Sequence, residues 1–279
     1  MKKRWRWLGI GALVAGAGTL TTLQLQRKKH LRTLSQLEHD LARPGDDLAF
    51  DPESVNGLPE PAQRYLLHAI KPGTRIAQSV ELHMRGRILL KRGAEPATFE
   101  AEQVIARDGY VWRARVRKGA MRMSGFDRFA NDEGAMSWWL YDSVPLVSAS
   151  GASVSRSAAG RLAGESIFLP SALLPQNGAV WEAVDENSAL ARLDIGDEQL
   201  ALTIAVDAKG RPVRLSLMRW NSDVANGPVG PLRFDVTELT EERTFDGYTI
   251  PTRLLAGWRL SSREAFPFFF ARIEEARYH

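Results

Sequence analysis

Hydrophobic and polar positions change rhythm three times along the chain. In the opening stretch "MKKRWRWLGIGALVAGAGTLTTLQLQRKKH", an apolar run from Leu8 to Leu25 lies between two basic clusters. At 1.5 Å per residue a helix of that run reaches roughly 27 Å, enough for a thin bilayer core. A helical period follows. Leu31, Leu34, Leu37 and Leu41 share one stripe, either a separate helix or an extension of the first. "PGDDLAFDPESVNG" (44–57) is rich in Pro, Gly and Asp and reads as a linker. Ala62, Tyr65, Leu66, Ala69 and Ile70 then predict a helix entered at Pro61 and stopped by Pro72-Gly73.

Beyond residue 77 the period becomes two. Val80, Leu82, Met84, Ile88 and Leu90 face one way, and Glu81, His83, Arg85, Arg87 and Lys91 face the other. Asp108-Gly109 has the chemistry of a type I′ hairpin turn. A turn centred there sets Glu102 opposite Arg115, Glu100 opposite Arg117 and Ile105 opposite Trp112. Similar strands recur to the C-terminus, with "DAKG" and "FDGY" as turns and no βαβ alternation. The expected fold is mainly β (α+β): one curved antiparallel sheet or open half-barrel of about ten strands. A helix precedes it, a short helix is inserted near 155–167, and a transmembrane helix leads. The expected divisions are a membrane anchor at 1–26, a juxtamembrane helix and linker at 27–56, and a β-rich domain at 57–279.

"RLAGESIFLPSALLP" (161–175) breaks the alternation. Ser155 or Ser157 caps a helix through "AAGRLAGES", and Arg161 and Glu165 become i, i+4 neighbours. Ala159, Gly160, Ala163 and Gly164 leave another face nearly bare, so the helix can approach a sheet closely. Pro170 and Pro175 then allow no more than one helical turn between them. Phe168, Leu169, Leu173 and Leu174 are presented from a compact knot that plugs the sheet's open end or rims its mouth.

Charge alters the picture at the N-terminus only. The net charge of +4 hides eight basic residues and no acidic ones within 1–32, which leaves 29 basic against 33 acidic residues beyond. The body is thus mildly acidic, which argues against nucleic-acid binding. A cleaved signal peptide competes with the anchor, since Ala15-Gly16-Ala17 resembles a cleavage site. The apolar sequence continues past that point and ends in "RKK", with Trp5 and Trp7 at the interface, which favours an uncleaved single-pass anchor. Short basic N-terminal regions stay cytoplasmic, so the body is expected on the periplasmic or extracytoplasmic side of a bacterial inner membrane. The absence of cysteine excludes thiol catalysis, disulfides and Cys-ligated zinc.

Catalytic chemistry is sparse. No nucleophile elbow, zinc-binding H-E-x-x-H, P-loop or dinucleotide fingerprint occurs, and no histidine lies between residues 84 and 278. His68 and His83 fall on polar faces and read as solvated. No metal site, cofactor or catalytic residue is expected. Asp127, in "SGFDRFAND", reads as a loop carboxylate; with Arg161 and Glu165 it forms the set of polar candidates. The body's tryptophans either fill the core or line an apolar cavity, so Trp112, Trp139, Trp181, Trp220 and Trp258 join the knot residues as candidate ligand contacts.

Four blocks, "LPEPAQRYL" (58–66), "RLAGESIFLPSALLP", "VWEAVD" (180–185) and "FDGYTIPTR" (245–253), resemble an uncharacterised bacterial domain-of-unknown-function family. Members often carry an N-terminal membrane segment. The resemblance implies a β-rich pattern similar to lipoprotein-carrier half-barrels, which hold acyl chains in a concave apolar face. Three functions remain open: a membrane-tethered module binding an apolar or lipid-like ligand, an envelope structural or protein-interaction domain, and a carboxylate-dependent enzyme.

Overall fold

The computed structural model describes residue 24 and residues 27–45, 47–223 and 227–279. Thirteen strands form one sheet. β1 (Ser79–Ile88), β2 (Ala97–Ala106), β3 (Gly109–Lys118), β4 (Met121–Ala130), β5 (Glu133–Leu140) and β6 (Val144–Ser150) make one wing. β7 (Val180–Asp185), β8 (Ser188–Ile195), β9 (Glu198–Val206), β10 (Pro212–Asn221), β11 (Gly230–Phe245), β12 (Tyr248–Trp258) and β13 (Phe266–Tyr278) make the other. Each wing is an antiparallel meander, and the two join where β1 pairs with β13. Neighbouring strands rotate by roughly 20–25°, so thirteen of them curl. The far turns therefore meet: a Cβ at Gly196, between β8 and β9, would stand 2.9 Å from the carboxylate of Asp132, between β4 and β5.

Three helices serve this sheet. α3 (Ala152–Glu165) joins the wings and crosses the concave side, touching β4 and β5 on one wing and β9 and β10 on the other. α2 (Glu60–Ala69) closes the second wing, with Ala62, Tyr65, Leu66 and Ala69 buried as the helical period predicts. α1 (27–41) lies on the opposite, convex face. There Leu34 and Leu41 pack on Val104, Val111, Phe126 and Trp139. Phe50 and Val55, in the stretch read as a linker, are buried in the main core.

Among the described residues no helix is long and apolar enough to cross a membrane. The run at 8–25 expected to form the anchor lies, but for Gln24, outside them.

Four local expectations are corrected. There are thirteen strands rather than about ten. "MRMSGFDRFA" is β4, not a loop. The β2–β3 register is displaced by two: Glu102 faces Arg113, Glu100 faces Arg115 and Gln103 faces Trp112. The turn is Arg107-Asp108, and Gly109 instead begins β3, where a Cβ would come within 2.6 Å of the Phe129 carbonyl. A slip of two keeps every side chain on its own face, so the opposite-charge pairing survives with new partners. Finally, α3 starts at Ala152 behind Gly151. Ser155 does not cap it but accepts a hydrogen bond from the Gly134 N–H of β5 at 2.9 Å, and Ser157 is buried.

Candidate functional site

Alternation puts three polar residues on the apolar concave face. Gln103 follows Phe99 and Ala101 on β2, Arg219 follows Leu215 and Leu217 on β10, and Asp127 sits between Trp112 of β3 and Met136 of β5. α3 runs directly over them and adds Arg161 and Glu165. The bare side of the helix permits this approach: a Cβ on Gly160 would lie 2.7 Å from Cγ of Arg219.

The groups form a closed network. Arg161 donates from Nη1 to Asp127 Oδ2 at 3.0 Å and from Nε to Glu165 Oε1 at 2.8 Å. Trp138 Nε1 donates to Asp127 Oδ1 at 3.2 Å, and Gln103 Nε2 to Glu165 Oε2 at 2.6 Å. Every carboxylate oxygen of the pair thus has a donor. The Arg161 guanidinium also lies over the rings of Tyr110 (4.7 Å) and Trp112 (4.9 Å). Burial raises the Asp127 carboxyl above its usual value, with Arg161 pulling the other way. Burial likewise raises the Tyr110 phenol, which stays neutral.

Arg219 differs. Its Nε donates to the Ser157 carbonyl at 3.0 Å and its guanidinium covers Phe234 and Trp258, at 5.0 and 5.4 Å. No carboxylate among the described residues pairs with it. Burial pushes its pKa down to about 10.

Between this network and the sheet lies a cleft of about 150 Å³. Trp112, Phe168, Phe234, Phe268 and Phe269 supply aromatic wall, and Asp127, Arg161, Glu165 and Arg219 supply the polar side. Trp112 is 2% exposed, yet among the described residues its indole N–H has no acceptor; the indole of Trp258 is in the same condition. An unpaired buried donor costs about 1–3 kcal/mol unless something accepts from it.

Of the residues singled out in the sequence, the structure gathers Trp112, Asp127, Arg161, Glu165 and Phe168 on this cleft, with Trp258 beneath Arg219. The others scatter. Trp139 is on the convex face against α1. Leu169 faces a separate crevice of about 500 Å³ between the wing ends. Leu173 and Leu174 are fully buried, and the Leu173 carbonyl accepts from Trp181 Nε1 at 2.9 Å. Trp220 lies under Arg156 and donates to Ser153. The knot therefore fills the sheet end, tied by Ser171 to the Ala77 carbonyl and by Tyr278 to the Phe168 carbonyl. Gln103, Trp138, Arg219 and the three phenylalanines of β11 and β13 went unread in the sequence. For Gln103 and Arg219 the signal is a polar residue at an inward position of an alternating strand.

The carboxylates do converge, as an acid–base pair would require. Their four oxygens are all engaged, however, and one arginine bridges them, so the arrangement holds the helix to the sheet rather than presenting a free base.

No curated protein sequence matches the chain. Solved structures with similar shape include a LolA superfamily protein from Nitrosomonas europaea, at 10% identity and a TM-score of 0.42 over 78% of this chain and 92% of that one. Another is a DUF1329 family protein from Desulfovibrio piger, at 13% identity and a TM-score of 0.41 over 72% and 86%. Superpositions this loose define neither ligand nor activity. A model described as a family of unknown function, DUF6544, matches residues 49–271, and the chain belongs to that family.

Proposed function

We propose that this is a membrane-tethered protein of the bacterial envelope whose concave cleft holds an apolar or lipid-like ligand with an oxygen acceptor. The observation that carries the reading is the Trp112 indole, buried in the cleft wall with its N–H unpaired. Aromatic walls accept the apolar part of such a ligand. A carbonyl or ester oxygen would accept hydrogen bonds from the Trp112 indole N–H and from the Arg219 guanidinium. The apolar run at 8–25 supports the tether, with the body outside the cytoplasm.

Gly164 provides the test. It lines the cleft, and a Cβ there meets only Leu217 at 3.8 Å, so a larger residue can project into the space without disturbing the helix. Full-length protein, purified in mild detergent, should carry a long-chain compound detectable by lipid mass spectrometry and bind a fluorescent fatty acid. Gly164→Phe should lose both and stay folded. Wild-type protein that neither carries nor binds such compounds would sink the reading.

A further inference from the structure

One end of the first wing combines features that the cleft does not use. The β1–β2, β3–β4 and β5–β6 turns lie side by side there, because alternate turns of a meander share an end. From 115 to 122 the chain carries Arg115, Arg117, Lys118 and Arg122 and no carboxylate. Lys91 and Arg92 extend from the β1–β2 turn. Among the described residues no carboxylate pairs with Arg117, Lys118 or Arg122. The same rim exposes large apolar side chains: Leu90 (51%), Tyr141 (55%) and Val144 (48%).

The path of the chain says what covers this rim. α1 runs along the convex face from Arg27, bonded at 2.6 Å to Asp142 in the β5–β6 turn, to the opposite end, where Arg43 meets Asp108 at 3.3 Å. Arg27, at the rim, stands in the sequence two residues after the last apolar position of the 8–25 run and opens the basic cluster Arg27, Lys28 and Lys29.

We propose that the rim formed by the β1–β2, β3–β4 and β5–β6 turns rests on a bilayer bearing anionic headgroups. Its arginines and lysines meet phosphate, and Leu90, Tyr141 and Val144 enter the interface. That this bilayer is the one holding the N-terminus rests on the tether proposed above; the lipid-binding face itself does not. In this pose the β2–β3 turn, ten residues along β3, stands about 30 Å from the headgroups.

The lack of native cysteine makes a single-site probe clean. Full-length Ala120→Cys (rim) and Asp108→Cys (far end) are labelled with a fluorophore and reconstituted in phosphatidylcholine vesicles, with or without phosphatidylglycerol, carrying a headgroup nitroxide quencher. The label at 120 should be quenched in the anionic vesicles and the label at 108 should not. Adding Arg117→Glu/Lys118→Glu/Arg122→Glu should release the quenching at 120. Equal accessibility at 120 and 108, or quenching indifferent to both lipid charge and the reversal, overturns the proposal. If the chain instead separates from the pure phosphatidylcholine vesicles on gel filtration, the tether reading fails. The rim then still requires added protein to partition onto phosphatidylglycerol vesicles, roughly 100-fold more weakly after the three reversals. Absence of that partition overturns it too.

Discussion

β3 shows two electrostatic regimes on one strand. Toward the concave side it sends Tyr110, Trp112, Ala114 and Val116; toward the convex side it sends Val111, Arg113, Arg115 and Arg117. Inside, Arg161 reaches Asp127 and Glu165 with side chains only 14–20% exposed. Outside, Arg113 reaches Glu38 at 2.7 Å and Glu102 at 3.2 Å from a position 37% exposed. The contacts have similar lengths, yet water screens Arg113 and Glu102 more than the inner set, while Glu38 is itself half-buried. Geometry alone therefore ranks neither set; burial does.

The largest expected effect comes from breaking the inner set. Arg161→Leu leaves two carboxylates buried without their shared cation and should cost about 3–5 kcal/mol in urea unfolding. Adding Asp127→Asn and Glu165→Gln, which removes the stranded charges, should recover part of that loss. A single variant within 1 kcal/mol of wild type would place the network in the screened regime after all.

Next is the apolar seam that fixes α1 to the convex face. Leu34 is 2% exposed. Leu34→Ala should cost about 2–3 kcal/mol, toward the low end for a buried leucine because its cluster is small. Limited proteolysis should then cut within 27–43 while the concave core stays protected. Simultaneous cleavage of both would mean that the two faces unfold as one unit.

Arg113→Ala should cost less, about 0.5–1 kcal/mol, and only at low salt. A loss as large as that of Arg161→Leu would erase the distinction between the faces.

How much of this was readable in the sequence follows the same division. Which face each residue takes was legible, because alternation survives a two-residue slip; the register was not, because a steric demand at Gly109 outweighed its turn propensity. Asp127, flanked by aromatic residues and Arg128, has the local look of a loop carboxylate, yet it stands within β4 and meets Arg161 of α3. Arg161 and Glu165 were legible as helical neighbours four residues apart. Their partners were not: Asp127 is 34 residues from Arg161, and Gln103 is 62 from Glu165. Such pairs depend on where a helix crosses a curled sheet, which local periodicity does not encode.

The smallest expected effect is a slope in pH to which Asp127 of the inner face contributes. Burial, opposed by Arg161, raises the Asp127 carboxyl above the usual aspartate value. The unfolded chain gives up this proton first while the native state retains it. Between the two values the native state binds more protons, so raising the pH favours unfolding. The contribution is complete below the ordinary aspartate value and is lost as pH rises through the raised native one. Asp127→Asn should remove that decline, read as the difference in Tm between variant and wild type across the acid range. Arg113→Ala should instead steepen the decline, since burial raises the Glu38 carboxyl and Arg113 is what opposes it. Parallel profiles for wild type and Asp127→Asn would mean that water reaches the carboxylate and that the concave network is screened like the convex one.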